Sequence, residues 1–393
     1  MKVPLFEFYS PLKIISGHHA LENIGYELEQ KACSRPMLLS EHGILAAGLV
    51  KKFKSAIRDE RFRLAAEFYD IPQDSALDIV NQIAALFRQN DCDSLIALGG
   101  GTVIDTAKGV NILLSEGAED IASLMGAELL KKPMKPLFVI PTTAGTGSEA
   151  TLVAVIADRE RQLKMPFTSY RIIPDLAILD PQMTISLSPQ LTAITGMDAL
   201  THAIEAYSCL QKNPISDAFA FQAVKLISET LPQVIIDGEN PLLRLTMANA
   251  ALMAGIAFSN SMVGIVHSIG HSAGSVAGVP HGLAMAILLP YGMEYNFDIN
   301  RALYAELLLP LGGAERYART QPDDRAGEAI AVIYELRQEL HKMTKMKLNL
   351  KDAGVTETQL PEIAKKSLND GSLIYNPREA DEAAILNLLQ QAW

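Results

Sequence analysis

The feature that most constrains this fold is a change of hydrophobic rhythm partway along the chain. Up to about residue 185, short apolar runs of strand length alternate with helical periodicity. "PMLLS" (36–40), "SLIALGGG" (94–101) and "PLFVIPTT" (136–143) read as buried parallel strands running into turn residues. Between the first two, Leu77, Val80, Ala84 and Phe87 recur near helical spacing and predict a helix with one apolar face. Strand, helix and strand at this interval predict a doubly wound α/β domain with a parallel, Rossmann-like sheet. The rhythm then changes. Ser188 has the chemistry of an N-cap, Pro189 suits a first helical position, and Ala, Leu and Ile-rich helical patterns run on almost to Trp393. The expectation is two domains, an α/β domain over 1–185 and an all-helical domain over 186–393.

Charge and cysteine usage narrow the function classes. With 49% hydrophobic against 20% charged residues, the 393-residue chain has enough apolar material for a well-filled core. A net charge of −11 without a basic patch argues against nucleic acid and anionic membranes. Cys33, Cys92 and Cys209 form no CxxC pair, which suits a reducing, cytoplasmic setting. No apolar run is read as reaching the roughly 18–20 residues of a membrane span.

Two glycine-containing loops carry the first chemical hints. In "LIALGGGTVIDTAKGV" a strand runs into Gly99, Gly100 and Gly101, and a helix is expected to start near Thr102. Missing Cβ atoms let backbone approach a pyrophosphate, and a helix start offers unpaired N–H groups. Ile104 stands where GxGxxG needs its third glycine, so a tight strand-to-helix turn explains the loop equally well. Asp105, placed in the first helical turn, fits simple dipole complementarity. "PTTAGTGSEAT" (141–151) follows a second strand with Thr142, Thr143, Thr146 and Ser148. In isolation it is a polar loop bonding its own backbone. Two such loops at carboxyl ends of strands in one sheet favour a nucleotide.

"TGMDALTHAIEAY" places Asp198 and His202 at i and i+4 on one helix face among Ala, Leu and Ile, while His267 and His271 repeat that spacing and His281 follows between Pro280 and Gly282. A lone Asp/His pair is as often a buried hydrogen-bonded couple as a metal site. A carboxylate and four imidazoles in apolar surroundings point to one divalent cation, because unpaired buried polar groups cost several kcal/mol. Nitrogen and oxygen ligands favour iron or zinc over thiolate-type sites.

Together "GGGTVIDTAKG", "PTTAGTGSEAT", "PDLAILDP", "TGMDALTHAIEAY" and "HSIGHSAGSVAGVPHGLAMAILLPYGMEYN" resemble the iron-containing (group III) alcohol dehydrogenases, including their lactaldehyde reductase and propanediol dehydrogenase members, over essentially the whole chain. The resemblance implies the architecture shared with dehydroquinate synthase. It makes Asp198, His202, His267 and His281 the ligands of Fe2+ or Zn2+, and His271 a proton-relay residue beside them. Gly99, Gly100, Gly101 and Thr102 would hold the cofactor pyrophosphate, Thr142, Thr143 and Thr146 would approach the nicotinamide half, and Lys164 its ribose. Glu41, or Ser40 in a shifted register, falls at the adenine ribose, and a carboxylate there favours NAD over NADP. The implied reaction is hydride transfer between nicotinamide and a short-chain alcohol or aldehyde polarised by the metal. Glycerol dehydrogenase, dehydroquinate synthase and a metal-dependent hydrolase are the rival readings. Phe258 is expected at a pocket wall, "VPLFEFYSP" is a candidate intersubunit strand, and a homodimer or larger homo-oligomer is implied.

Overall fold

The computed structural model describes residues 5–57, 63–158, 161 and 163–393. It divides into two compact units. One comprises Tyr9–Thr143 and Gly147–Ser186. The other comprises Leu187–Trp393 with Ala144–Thr146 and the residues before Tyr9.

The first unit holds nine strands among the described residues: β1 (Lys13–Ser16), β2 (Pro36–Leu39), β3 (Ala66–Phe68), β4 (Ser94–Gly99), β5 (Gly126–Ala127), β6 (Leu137–Pro141), β7 (Val153–Asp158), β8 (Leu163–Thr168) and β9 (Leu176–Leu179). Its helices are α1 (Ile24–Gln30), α2 (His42–Ala46), α3 (Leu49–Ala56), α4 (Leu77–Gln89) and α5 (Gly101–Glu116). Six strands form one parallel sheet in the order β1-β9-β6-β4-β2-β3. A single row of Cα partners runs Leu176, Phe138, Ile96, Leu38 across its centre. The apolar runs predicted from sequence are its central strands. They carry no polar alternation because both faces are covered. Met37, Leu39, Leu95, Ala97 and Val139 pack with Val80, Ile83 and Phe87 of α4 and Val103 and Ala107 of α5. Leu38, Ile96, Phe138 and Ile178 pack on the opposite side with Ile24 and Leu28 of α1 and Phe53 of α3.

Sequence reasoning missed a three-stranded sheet, β5-β8-β7, whose Ala154, Ile156, Met165 and Phe167 join the α4/α5 side of the core. The stretch expected as an intersubunit strand forms none over residues 5–12, and Val3 and Pro4 lie outside the described residues. Phe8 instead stacks on Phe219, ring centroids 5.9 Å apart.

The second unit is helical throughout its described residues: α6 (Pro189–Ser208), α7 (Pro214–Ile236), α8 (Pro241–Ser259), α9 (Ile265–Ala277), α10 (His281–Tyr295), α11 (Phe297–Arg319), α12 (Arg325–Thr344), α13 (Leu360–Ser367) and α14 (Glu382–Ala392), with short 3-10 turns. Ser188 caps α6 as expected, its Oγ accepting from Leu191 N at 3.2 Å. α6 is the central helix, packed on by α7, α8 and α10 and buried all round from Gly196 to Ser208. One expectation needs correction, since α8 is long and apolar enough to cross a membrane by length and composition. It is mostly buried within the unit, which is how a core helix of this composition behaves.

A turn at the base of the sheet gives a stability test. Asp93, just before β4, accepts from Ser34 N (2.7 Å), Arg35 N (2.9 Å) and Ser94 Oγ (2.7 Å), tying the approach to β2 to the start of β4. Partial burial pushes its carboxyl up, but the bonds from Ser34, Ser94 and Arg35 outweigh that and hold it below the usual range. A depressed folded-state value means stability that is complete above the unfolded carboxyl's pKa of about 3.9 and lost as pH falls through the folded one. D93N is therefore expected to cost about 1 kcal/mol at pH 7 after allowance for solvent screening. In thermal melts, the difference from the parent should shrink below about pH 4.

Candidate metal centre and cofactor loops

Asp198 and His202 project from one face of α6, His267 from the first turn of α9, and His281 opens α10. Gly278, in the left-handed region at φ 69°, ends α9 and turns the chain toward Pro280 and His281. One ligand-type atom from each of Asp198, His202, His267 and His281 lies within 4.8 Å of every other. His281 Nε2 is 3.3 Å and His202 Nδ1 3.8 Å from Asp198 Oδ1. The His202 and His267 rings stand 4.3 Å apart.

Hydrogen bonding within the protein leaves this cluster incomplete. Asp198 Oδ1, His202 Nδ1 and His267 Nε2 are buried and make no hydrogen bond, and they account for three of the seven such side-chain atoms among the described residues. Burial pushes His202 down to about 3 and His267 well below the ordinary imidazole value, so both rings are neutral and carry lone pairs. Burial acts upward on Asp198, yet its carboxyl is held below the usual range by the surrounding imidazoles. Asp198 is thus a buried carboxylate beside two neutral imidazoles, with His281 Nε2 3.3 Å away at the accessible edge. The donor set, two buried imidazoles, a third at the edge and one carboxylate, fits a divalent cation such as Fe2+ or Zn2+.

A further carboxylate completes the arrangement. Glu205, buried on α6, brings Oε2 to 2.5 Å from His267 Nδ1, while Oε1 accepts from Val266 N at 2.8 Å. Burial pushes Glu205 up to about 7 against its backbone donors; as the carboxylate it accepts from His267 Nδ1, which leaves Nε2 as the lone-pair atom facing the cluster. The sequence held a signal for Glu205 that went unused. Asp198, His202 and Glu205 stand at i, i+4 and i+7, one continuous helix face.

His271 stands apart from the four. Its Nδ1 donates to Asp370 Oδ2 at 2.9 Å, and its ring stacks on His281 at 5.3 Å with 16° between planes. The side chains of His271 and His281 are 37% and 39% exposed, so the otherwise buried cluster has an accessible side. Phe258 lies flat on His202, centroids 4.4 Å apart. The small residues between the histidines serve helix packing. A Cβ on Gly270 would meet Met285 Cε at 1.9 Å, and one on Gly282 would meet Ile194 O at 2.8 Å, so these glycines let α10 close on α9 and α6.

Most of the expected cofactor residues gather at the carboxyl edge of the large sheet. Gly99 and Pro141 are paired residues of β4 and β6, and Thr142 N donates to Gly99 O at 3.1 Å, so the two loops start side by side. Thr142 Oγ1 is buried without a hydrogen bond. Gly100 faces Thr143, where an added Cβ would stand 3.3 Å from Oγ1. α5 begins at Gly101 with no side-chain cap. Glu41 follows the neighbouring strand β2, half-buried at the start of α2, whereas Ser40 is fully buried with its hydroxyl on Leu98 O at 2.7 Å.

The remaining expected residues are engaged elsewhere. Thr102 Oγ1 donates to Gln73 O at 2.6 Å, which leaves its position at the helix start, and not its hydroxyl, for an anion. Asp105 sits in the second turn of α5, and its carboxylate binds Ser148 Oγ (2.6 Å) and Val155 N (3.1 Å) instead of serving the dipole. Lys164 is exposed on β8 opposite Ala157, whose N–H reaches Ser75 O at 2.7 Å. Thr146 belongs to the helical unit, beside Gly145, which packs on Thr195 of α6.

A parallel sheet with a glycine loop at its carboxyl edge and a carboxylate and histidine cluster in a helical unit are the features of a metal-dependent dehydrogenase. Residues 11–181 match the model of iron-containing alcohol dehydrogenases, and residues 192–393 match the C-terminal model of the same family. The chain belongs to the iron-containing alcohol dehydrogenases and is a metal-dependent, NAD-linked alcohol dehydrogenase. It is 34% identical to a 1,3-propanediol dehydrogenase of Klebsiella pneumoniae, covering 100% of both chains. It is also 34% identical to an NAD-dependent methanol dehydrogenase of Bacillus methanolicus, over 98% of this chain and 99% of that one. The crystal structure of a 1,3-propanediol oxidoreductase superposes with a TM-score of 0.94 at 34% identity, covering 99% of this chain and 100% of that one. Glycerol dehydrogenase, dehydroquinate synthase and a hydrolase are not favoured.

Glu205 gives the test of the centre. E205A is expected to weaken metal binding by about 10–100-fold, read by competition with a chromophoric chelator, while the far-UV spectrum stays that of the parent.

Proposed function

We propose that Asp198, His202, His267 and His281 hold the iron, that Gly99, Gly100, Gly101 and Thr102 hold the pyrophosphate of NAD, and that the substrate is a short primary alcohol or its aldehyde, with 1,3-propanediol the first to try. The observation that carries the reading is the convergence of four ligand atoms, three of them buried without any hydrogen bond. In this reading 1–185 is the cofactor domain and 186–393 the metal domain. Bound there, the metal supplies a Lewis acid for the alcohol or carbonyl oxygen.

The chain's own residues do the rest. Glu205 fixes the His267 tautomer, and Asp370 fixes His271 by accepting its Nδ1 proton, which leaves His271 Nε2 to take or return a proton. Its partial exposure gives that proton a route to solvent. Phe258, flat against His202, is the apolar wall beside the ligands and favours short substrates. The unsatisfied Thr142 hydroxyl and Thr143 beside Gly100 bind the cofactor with Thr146, and Lys164 reaches a ribose. Glu41 accepts the adenine ribose hydroxyls and repels a 2′-phosphate. Ser40, already bonded to Leu98 O, is the weaker candidate. Three buried free cysteines suit a cytoplasmic enzyme. A homodimer or larger assembly is supported by the exposed Leu5, Phe6, Tyr9 and Ile14, and light scattering measures it directly.

Two outcomes test these roles. H271A should keep its metal while turnover falls by about 10²–10⁴-fold. Loss of metal from that variant would make His271 a ligand and reverse the assignment. E41S should raise the ratio of kcat/KM for NADP over NAD by about tenfold or more, followed as absorbance at 340 nm with 1,3-propanediol.

A further inference from the structure

Lys108 is fully buried on α5, in a chain whose other charged groups offer ready alternatives at the surface. Its ammonium donates to Thr151 O (2.8 Å), Val153 O (2.9 Å) and Thr151 Oγ1 (3.0 Å), with Ser148 Oγ at 3.3 Å. Every one of these acceptors lies in the segment that leaves the threonine loop. One turn back on the same helix face, Asp105 binds Ser148 Oγ and Val155 N. The two side chains thus grip residues 148–155 with six contacts from one helix. Asp105 and Glu149 are the acidic groups acting on the ammonium, and burial lowers Lys108 to about 8.

The placement matters because of what lies at the two ends of that helix face and loop. The start of α5 carries the glycine loop. The threonine loop leaves β6 at Thr142, tied to Gly99 O, and returns at Ser148, tied to Asp105 and Lys108. Both ends of the threonine loop are therefore referred to the β4–α5 turn. Packing alone needs no ammonium here, since a methionine would fill similar volume without the cost of burying a charge. What an ammonium adds is three directional donors aimed at one strand of backbone.

We propose that Lys108, with Asp105, is a positioning residue for the cofactor: it sets the threonine loop against the glycine loop so that one NAD molecule meets both. The inference rests on the assignment of these loops to NAD, and it is independent of the metal ligands.

The experiment measures NAD binding by calorimetry, metal content, and separate kcat and KM values for the parent and K108M. K108M is expected to weaken NAD binding and raise KM for NAD by about tenfold or more, while metal content, KM for the alcohol and kcat at saturating NAD stay within about twofold. An NAD affinity within about twofold of the parent in folded K108M overturns the proposal, as does a parallel loss of metal, kcat and cofactor binding, which marks general destabilisation. Should K108M not fold, T151V removes a single acceptor and retains the shape. It is expected to raise KM for NAD by about three- to fivefold with kcat unchanged, and an unchanged KM for NAD overturns the proposal. A parent protein that binds no NAD overturns the loop assignment itself, an outcome separate from an unaffected K108M.

Discussion

A carboxylate on a helix buried from all sides sets the terms for the helical unit. Asp198 lies in the middle of α6, and among the described residues no lysine or arginine forms an ion pair with it. Its neighbours are His202, His267 and His281, and burial keeps the first two neutral. An arrangement of this kind is unstable as a closed set, because a carboxylate at low dielectric needs an opposite charge within a few ångströms. The rest of the local structure follows from supplying one. α9 must arrive with His267 turned by Glu205, α10 must start at His281, and α10 must approach α9 at Gly270 and α6 at Gly282 so closely that neither glycine can carry a side chain.

The large sheet poses a different problem, that of where its polar chemistry can stand. Its central strands are apolar on both faces, so polar chemistry is confined to the strand ends, where β2, β4 and β6 deliver Glu41, the glycine loop and Thr142 to one edge. Each member of that edge leaves something unsatisfied. α5 starts without a side-chain cap, Thr142 keeps a buried hydroxyl without a partner, and the carboxyl of Glu41 is pushed up by burial.

How much of this was legible in the sequence depended on whether one residue type carries one meaning. Apolar runs ending in turn residues and the Ser188–Pro189 helix start are local patterns with few competing explanations, and each was readable; the i, i+4 spacing of His267 and His271 was visible but could not separate the one in the cluster from the one beside it. Glu205 and Lys108 were not, because a charged residue in a helical pattern reads as a solvent face, and only tertiary contacts reveal that these two are buried and fully engaged. Asp105 was misread for a related reason. A carboxylate near a helix start suits the dipole, and its true partners, Ser148 and Val155, lie more than forty residues away in sequence. The small sheet escaped notice because β5 has two residues and β7, VAVIAD, is apolar at five of six positions, so its alternating burial does not show in residue type. Composition shows that α9 is rich in small residues but cannot say what they face; at Gly270 it is Met285 of α10.

Two helix starts in this chain carry the same orphan N–H groups and put them to opposite uses. At α9 they are consumed: Glu205 accepts from Val266 N, and the same carboxylate orients His267, so the positive end of the helix is neutralised where a metal cation is expected. At α5 they are left open, with Gly100 at the N-cap and no side chain to take them, while α6, α7 and α8 are capped by Ser188, Asn213 and Asn240. A free helix start favours an anion and would repel a cation, and a capped one does neither. The open start of α5 suits an anion, in keeping with the pyrophosphate proposed there, while Glu205 joins the start of α9 to the orientation of His267 through one carboxylate.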